Sequence, residues 1–123
     1  MTPSERIAKC VRYTLSAVVL IEIWVDESGG ADQAICHDMK ARSAIERQLL
    51  IISEAAVRLN KLDPTAAGRL MPNVDWPGIR GIGNFIRHTY DNLDTSILVD
   101  VVRNRLPELR EACERALRRL DAD

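Results

Sequence analysis

The chain has 123 residues, close to half of them apolar, so one domain with a real core is expected and a second domain is not. Only 4% of residues are aromatic and strand-like alternation is absent, a pattern that suits helix packing rather than a sheet. The formal net charge of −1 argues against indiscriminate binding of nucleic acid, and without a run of about eighteen apolar residues no membrane span is expected.

Met1-Thr2-Pro3-Ser4-Glu5-Arg6 lacks the basic start and small-residue cleavage site of a signal peptide, so a cytoplasmic protein is expected. The first predicted helix runs from about Ser4 to Asp26. Ile7, Val11, Thr14, Val18, Ile21 and Val25 form its apolar stripe, and Leu15, Val19 and Ile23 widen it. Glu27-Ser28-Gly29-Gly30 ends it. The second runs from about Asp38 to Lys61. One face carries Ala41, Ala44, Ile45, Gln48, Leu49, Ile52, Ala55, Ala56 and Leu59, and Leu50 and Ile51 add a second apolar edge. A helix this broadly apolar touches neighbours on two sides, and in so small a chain one of them can be another subunit.

Residues 62–74 form a connector marked by Pro64, Gly68 and Pro72, with room for one helical turn at Pro64–Leu70. The third helix opens at Asp75 as N-cap. Pro77 stands in its first turn, where the missing N–H costs nothing, and the pattern reaches about Tyr90. Asp94 caps a last helix that runs to about Leu120, and Pro107 inside it predicts a kink or restart near Leu106. Short connections favour antiparallel neighbours. The expected fold is therefore all-α, an up-down helical bundle of four main helices, with residues 1–123 as a single domain.

The three cysteines, Cys10, Cys36 and Cys113, are an odd number at wide spacing, neither a disulfide framework nor a metal pattern. Cys36-His37 is the one Cys/His neighbour pair, and it reads as a reduced thiol in a helix or turn; no metal and no cofactor is expected. Arg supplies 14 of the 17 basic residues. Arg is the better fork for phosphate, although Arg-rich codon usage explains the bias equally well. On the last helix Arg103, Arg105, Arg110, Arg115, Arg118 and Arg119 interleave with Glu108, Glu111, Glu114 and Asp121, which reads as a solvated face.

The third helix carries the chemistry. Gly81-Ile82-Gly83-Asn84-Phe85-Ile86-Arg87-His88-Thr89-Tyr90-Asp91 sets an Arg, a His and a Tyr close together in a chain with two His and two Tyr. At about 100° per residue, Arg80, Asn84, Arg87, His88 and Asp91 share one face, while Ile79, Ile82 and Ile86 hold the other with Tyr90 at their edge. Two guanidinium groups, an amide and an imidazole make a phosphate-binding face with a titratable group in it. The same face also suits plain solvation. His88 and Tyr90 diverge by about 160° on a straight helix, so sharing a site requires the helix to end there or a second subunit to complete it. Gly78, Gly81 and Gly83 form no phosphate-cradling loop; inside a helix they read as permitting close packing.

Several landmarks resemble the HepT-like family of the HEPN superfamily, in order and over nearly the whole chain. Ala44-Ile45-Glu46-Arg47-Gln48-Leu49-Leu50-Ile51-Ile52-Ser53-Glu54-Ala55 is similar to its second-helix signature. Pro72-Asn73-Val74-Asp75-Trp76-Pro77-Gly78-Ile79-Arg80-Gly81 is similar to its entry into the active-site helix. Asn84, His88, Tyr90 and Asp94 fall where the family has Asn, a His-x-Tyr pair and Asp. The resemblance implies a dimeric helical bundle acting as a ribonuclease toxin on RNA. It also implies a partner, an MntA-like minimal nucleotidyltransferase antitoxin that attaches AMP to the motif Tyr. His88 would then be the general acid/base and Tyr90 the modification site, in a cleft between two subunits.

One position departs from the family motif. Its Arg, five residues before the His, corresponds to Gly83, which leaves Arg87 or Arg80 to hold the scissile phosphate. Three readings follow. The first is a homodimeric, metal-free endoribonuclease toxin using His88, Arg87, Arg80 and Asn84. The second is a non-catalytic helical dimer that binds a nucleotidyltransferase, a nucleotide or RNA. The third is a structural dimer without chemistry.

Overall fold

The computed structural model describes residues 1–88 and 94–122, except the side chain of His88. Among these residues seven α-helices follow one another: α1 (Pro3–Ser28), α2 (Ala31–Cys36), α3 (Met39–Leu62), α4 (Ala66–Leu70), α5 (Trp76–His88), α6 (Thr95–Asp100) and α7 (Leu106–Ala122). No strand occurs among the described residues, and none of these helices is long and apolar enough to cross a membrane. The protein is an all-α bundle.

The helix ends follow from local chemistry. Thr2 caps α1: its hydroxyl accepts the Glu5 N–H, and the Glu5 carboxylate accepts the Thr2 N–H in return. Gly29 ends α1 with φ at +95°, a left-handed turn that a β-carbon would strain. Asp38 caps α3 by accepting the Ala41 N–H at 3.0 Å. Asp75 caps α5 by accepting the Gly78 N–H at 3.1 Å. Buried Trp76 ties the incoming connector down by donating its indole N–H to the Met71 carbonyl at 3.3 Å.

Asp94 begins the last rod. Its carboxylate accepts both the hydroxyl (2.6 Å) and the backbone N–H (2.9 Å) of Ser96, and these bonds hold its pKa below the usual carboxylate value. The rod restarts where Pro107 predicts. A π-helical turn, Val101–Arg105, joins α6 to α7, and the Leu106 N–H reaches the Val101 carbonyl five residues back. The wider turn makes room for a proline ring that would otherwise meet the carbonyl four residues before it.

Four long elements lie side by side in the order α5, α3, α1, α7. Arg12 meets Asp121 and Glu22 meets Arg110, so α1 and α7 are antiparallel. Ser28 at the end of α1 bonds Asp38 at the start of α3. Ser53 and Glu54 of α3 meet Arg80 and Arg87 of α5. Ile7, Val11, Val18 and Ile21 of α1 join Ile45, Leu49 and Ile52 of α3 and Leu106 and Leu109 of α7 in one buried core. Thr14 is buried on that stripe because its hydroxyl donates to the Cys10 carbonyl at 3.0 Å. Burial among these groups pushes the Cys113 thiol up to about 12, which keeps it a protonated packing group.

Two details differ from the sequence reading. The stripe of α1 is narrower than expected: Val19 and Ile23 are exposed, because α3 and α7 both approach from the other side. Helix α2 occupies a stretch with no predicted element; six residues are too short to display a period. Helix α5 is described to His88, so Tyr90 and Asp91, which the periodicity assigns to it, lie outside the described residues.

Candidate active site

The site is built where α5 lies against α3, and the joint is polar. The Ser53 hydroxyl donates to the Arg80 carbonyl at 2.9 Å and accepts the Gly83 N–H at 3.2 Å. One side chain of α3 thus grips two backbone groups of α5, and every bond that a buried hydroxyl needs is made. Position 83 has no room for more. A β-carbon there would stand 2.5 Å from Ser53 Oγ and 3.0 Å from Ser53 Cβ. The close-packing role expected of three glycines is met by Gly83 alone. Nothing lies within 4 Å of a β-carbon at Gly81, and one at Gly78 would meet the capping carboxylate of Asp75 rather than another helix.

The same measurement places Arg87. Its Nη1 lies 3.4 Å from the point where a Gly83 β-carbon would be. The guanidinium folds back by one helical turn to the spot where a side chain at position 83 would begin. It also meets the Glu54 carboxylate at 3.5 Å, with both side chains 47% exposed. That is a long, half-solvated contact, worth about 0.2–1 kcal/mol, so an incoming phosphate can compete with Glu54 for Arg87.

Arg80 is half-buried and Asn84 is exposed on the same face. Asn84 precedes His88 by four residues and therefore sits one turn below it. His88 is the last described residue of α5. Its backbone places it at the Arg87 end of the joint, and its side chain and Tyr90 lie outside the described residues. Between α3 and α5 runs an open cleft of about 800 Å³. Ser53, Glu54, Val57, Arg58 and Lys61 line one wall, and Pro77, Arg80, Asn84 and Arg87 line the other.

Arg58 and Lys61 escaped the sequence reading, which treated α3 as a packing helix. Their signal was the spacing Glu54, Arg58, Lys61, a polar line at i, i+4, i+7 along an otherwise apolar helix. Across α5 lies a second, mostly apolar cavity of about 310 Å³, bounded by Ile82, Phe85, Ile97 and Val101. Its walls lack the titratable and cationic density of the α3 side. Among the described residues no three His, Cys, Asp or Glu side chains gather as metal ligands would. Cys36 is exposed and His37 caps the end of α2, remote in sequence from the joint.

Residues 5–116 match the family model described as Ribonuclease HepT-like. The chain belongs to the HepT-like ribonuclease family. HEPN-superfamily membership comes with it, in keeping with the all-α bundle. No solved structure matches this chain. The resemblance read from the third-helix landmarks therefore holds at the level of family and fold, and the departure at Gly83 now has a structural context. In this HepT-like chain Ser53 seals the α3–α5 joint at Gly83, and the Arg87 guanidinium reaches the same place.

Proposed function

We propose that the protein is a ribonuclease toxin that cleaves RNA by acid/base chemistry centred on His88. The observation that carries this reading is the placement of Arg87 over Gly83, within a chain whose residues 5–116 match a ribonuclease family. RNA brings its own nucleophile. His88 takes the proton of a ribose 2′-hydroxyl, the 2′-oxygen attacks the adjacent phosphorus, and the P–O5′ bond breaks. A proton returned to the leaving 5′-oxygen completes the step, giving a 2′,3′-cyclic phosphate and a 5′-hydroxyl. Charge grows on the non-bridging oxygens as phosphorus becomes five-coordinate, and Arg87 offsets it. Asn84, one turn before His88, orients the imidazole or the phosphate. Arg80 lies a further turn back and serves binding. A homodimer completes the cleft. An MntA-like minimal nucleotidyltransferase silences the toxin by transferring AMP to Tyr90, next but one to the catalytic His.

The experiment is cleavage of single-stranded RNA by purified protein in chelator, with His88→Ala alongside. Loss of general acid/base catalysis lowers the rate by about 10²–10⁴-fold with the helical signal unchanged. Full activity in the variant sinks the assignment. A second reading, a non-catalytic dimer that binds RNA or the nucleotidyltransferase, draws on the Glu54–Arg87 contact, which ties up the one guanidinium beside His88. A folded, AMP-free, unmutated protein that leaves RNA intact would favour it.

A further inference from the structure

Half of the 14 arginines of this protein have an acid outside the α3–α5 cleft. Arg12, Arg42, Arg69, Arg103, Arg105, Arg110 and Arg115 each meet a carboxylate. The α3–α5 cleft breaks that habit. Among the described residues four cations, Arg58, Lys61, Arg80 and Arg87, line it against one carboxylate, Glu54. Arg58, Lys61 and Arg80 make no side-chain hydrogen bond or ion pair among the described residues. Like charges gathered in one concavity repel each other and focus a positive field into it, and an anion is what relieves both.

The arrangement along the cleft says what kind of anion. Arg87 meets Glu54 at the His88 end of α5, Pro77 lines the start of that helix, and on α3 Arg58 and Lys61 stand one and two turns beyond Glu54. Arg80 and Arg87 are two turns apart, about 10 Å along α5. With Arg58 and Lys61 spread over two further turns on the other wall, a run of phosphates fits the cleft better than a single one. Among the described residues the remaining lining is Ser53, Val57, Pro77, Gly81 and Asn84, with no aromatic ring on which a base could stack. The groups present read backbone charge and carry little base identity.

We propose that the α3–α5 cleft is a channel for the phosphodiester backbone of the RNA substrate, in which Arg58, Lys61 and Arg80 hold phosphates beyond the one at His88. The proposal rests on the ribonuclease reading for the identity of its ligand. It makes Arg80 a binding residue rather than a partner in the chemical step, and it adds two α3 residues to the substrate path. Binding in the channel is electrostatic, salt-sensitive and indifferent to sequence.

The test uses full-length protein carrying His88→Ala, so that RNA is bound without being cut. Affinity for two labelled single-stranded RNAs of unrelated sequence is measured across a salt series, with and without Arg58→Gln/Lys61→Gln. The channel predicts at least a tenfold loss of affinity at low salt for both RNAs. It also predicts a slope of log K against log salt shallower by about 1.4, two contacts at about 0.7 each. Arg80→Gln, on the opposite wall, tests the channel separately if the double variant is unstable, and should lower the slope by about 0.7. Arg118→Gln/Arg119→Gln changes the net charge equally on α7 and should leave both quantities alone. Unchanged affinity and slope in the cleft variants overturns the proposal, as does an equal loss in the α7 variant. Intact RNA affinity with lost binding of the nucleotidyltransferase would make the cleft a protein-docking face, which is also a refutation. Catalysis is judged separately, on the unmutated protein in chelator. A protein that never cuts RNA but loses affinity in the cleft variants refutes the ribonuclease reading and keeps the channel.

Discussion

Helix α7 and the α3–α5 cleft are both rich in arginine, and they use it differently. On α7, Arg110 meets Glu22 and Glu114, and Arg115 meets Glu111. These pairs lie over a buried apolar seam of Leu106, Leu109, Cys113 and Ala116. In the cleft the joint itself is polar, sealed by Ser53 on Gly83, and three of its four cations have no acid among the described residues. A nearly neutral protein can therefore present a strongly basic surface locally, because its neutralising carboxylates are placed elsewhere. Net charge alone argues against nucleic-acid binding; the distribution of ion pairs argues for it at one place.

Four substitutions sharpen that contrast through thermal or denaturant melts. Leu109→Ala, in the seam of α7, should cost about 2–5 kcal/mol, because the helix is held by burial. Gly83→Ala comes next and sets two effects against each other. Alanine gains about 1 kcal/mol of helix propensity, but its β-carbon would press into Ser53, and overpacking costs about 1–3 kcal/mol. The clash should win, giving a net loss near 1 kcal/mol. Gly81→Ala, with open space around it, should instead gain about 0.5–1 kcal/mol. Arg110→Ala should cost least, about 1 kcal/mol or below, because its ion pairs are 46% exposed on the Arg side. A gain at Gly83 would mean that the joint is not tight there, and a large loss at Arg110 would mean that α7 depends on its charges.

Much of this was legible in the sequence because it depends on neighbours along the chain. The stripes of α1 and α3, the caps at Asp75 and Asp94 and the restart before Pro107 are all local. So is the polar face of α5, and the landmarks along it led to the family. What stayed hidden depends on the third dimension. Arg58 and Lys61 carry no mark of function until α5 lies across them. Gly83 reads as a lost Arg until Ser53 and the Arg87 guanidinium are seen around it. Val19 and Ile23 look like core because periodicity names a face without saying how much of it a neighbour covers. The sequence assigns the His-x-Tyr pairing its roles through the family resemblance, and those roles are proposals to be tested by chemistry.

The account stands most directly on Arg87 doing what the motif Arg does in the family. The measurement is kcat for RNA cleavage in chelator by Arg87→Ala beside the unmutated protein, with melting curves for both. The account predicts a fall of about 10²–10³-fold in kcat, the effect of removing one charge-stabilising donor, with KM and melting temperature nearly unchanged. A kcat within about twofold of the unmutated protein would contradict it, and would leave Gly83 as a position whose missing Arg has no replacement on this helix.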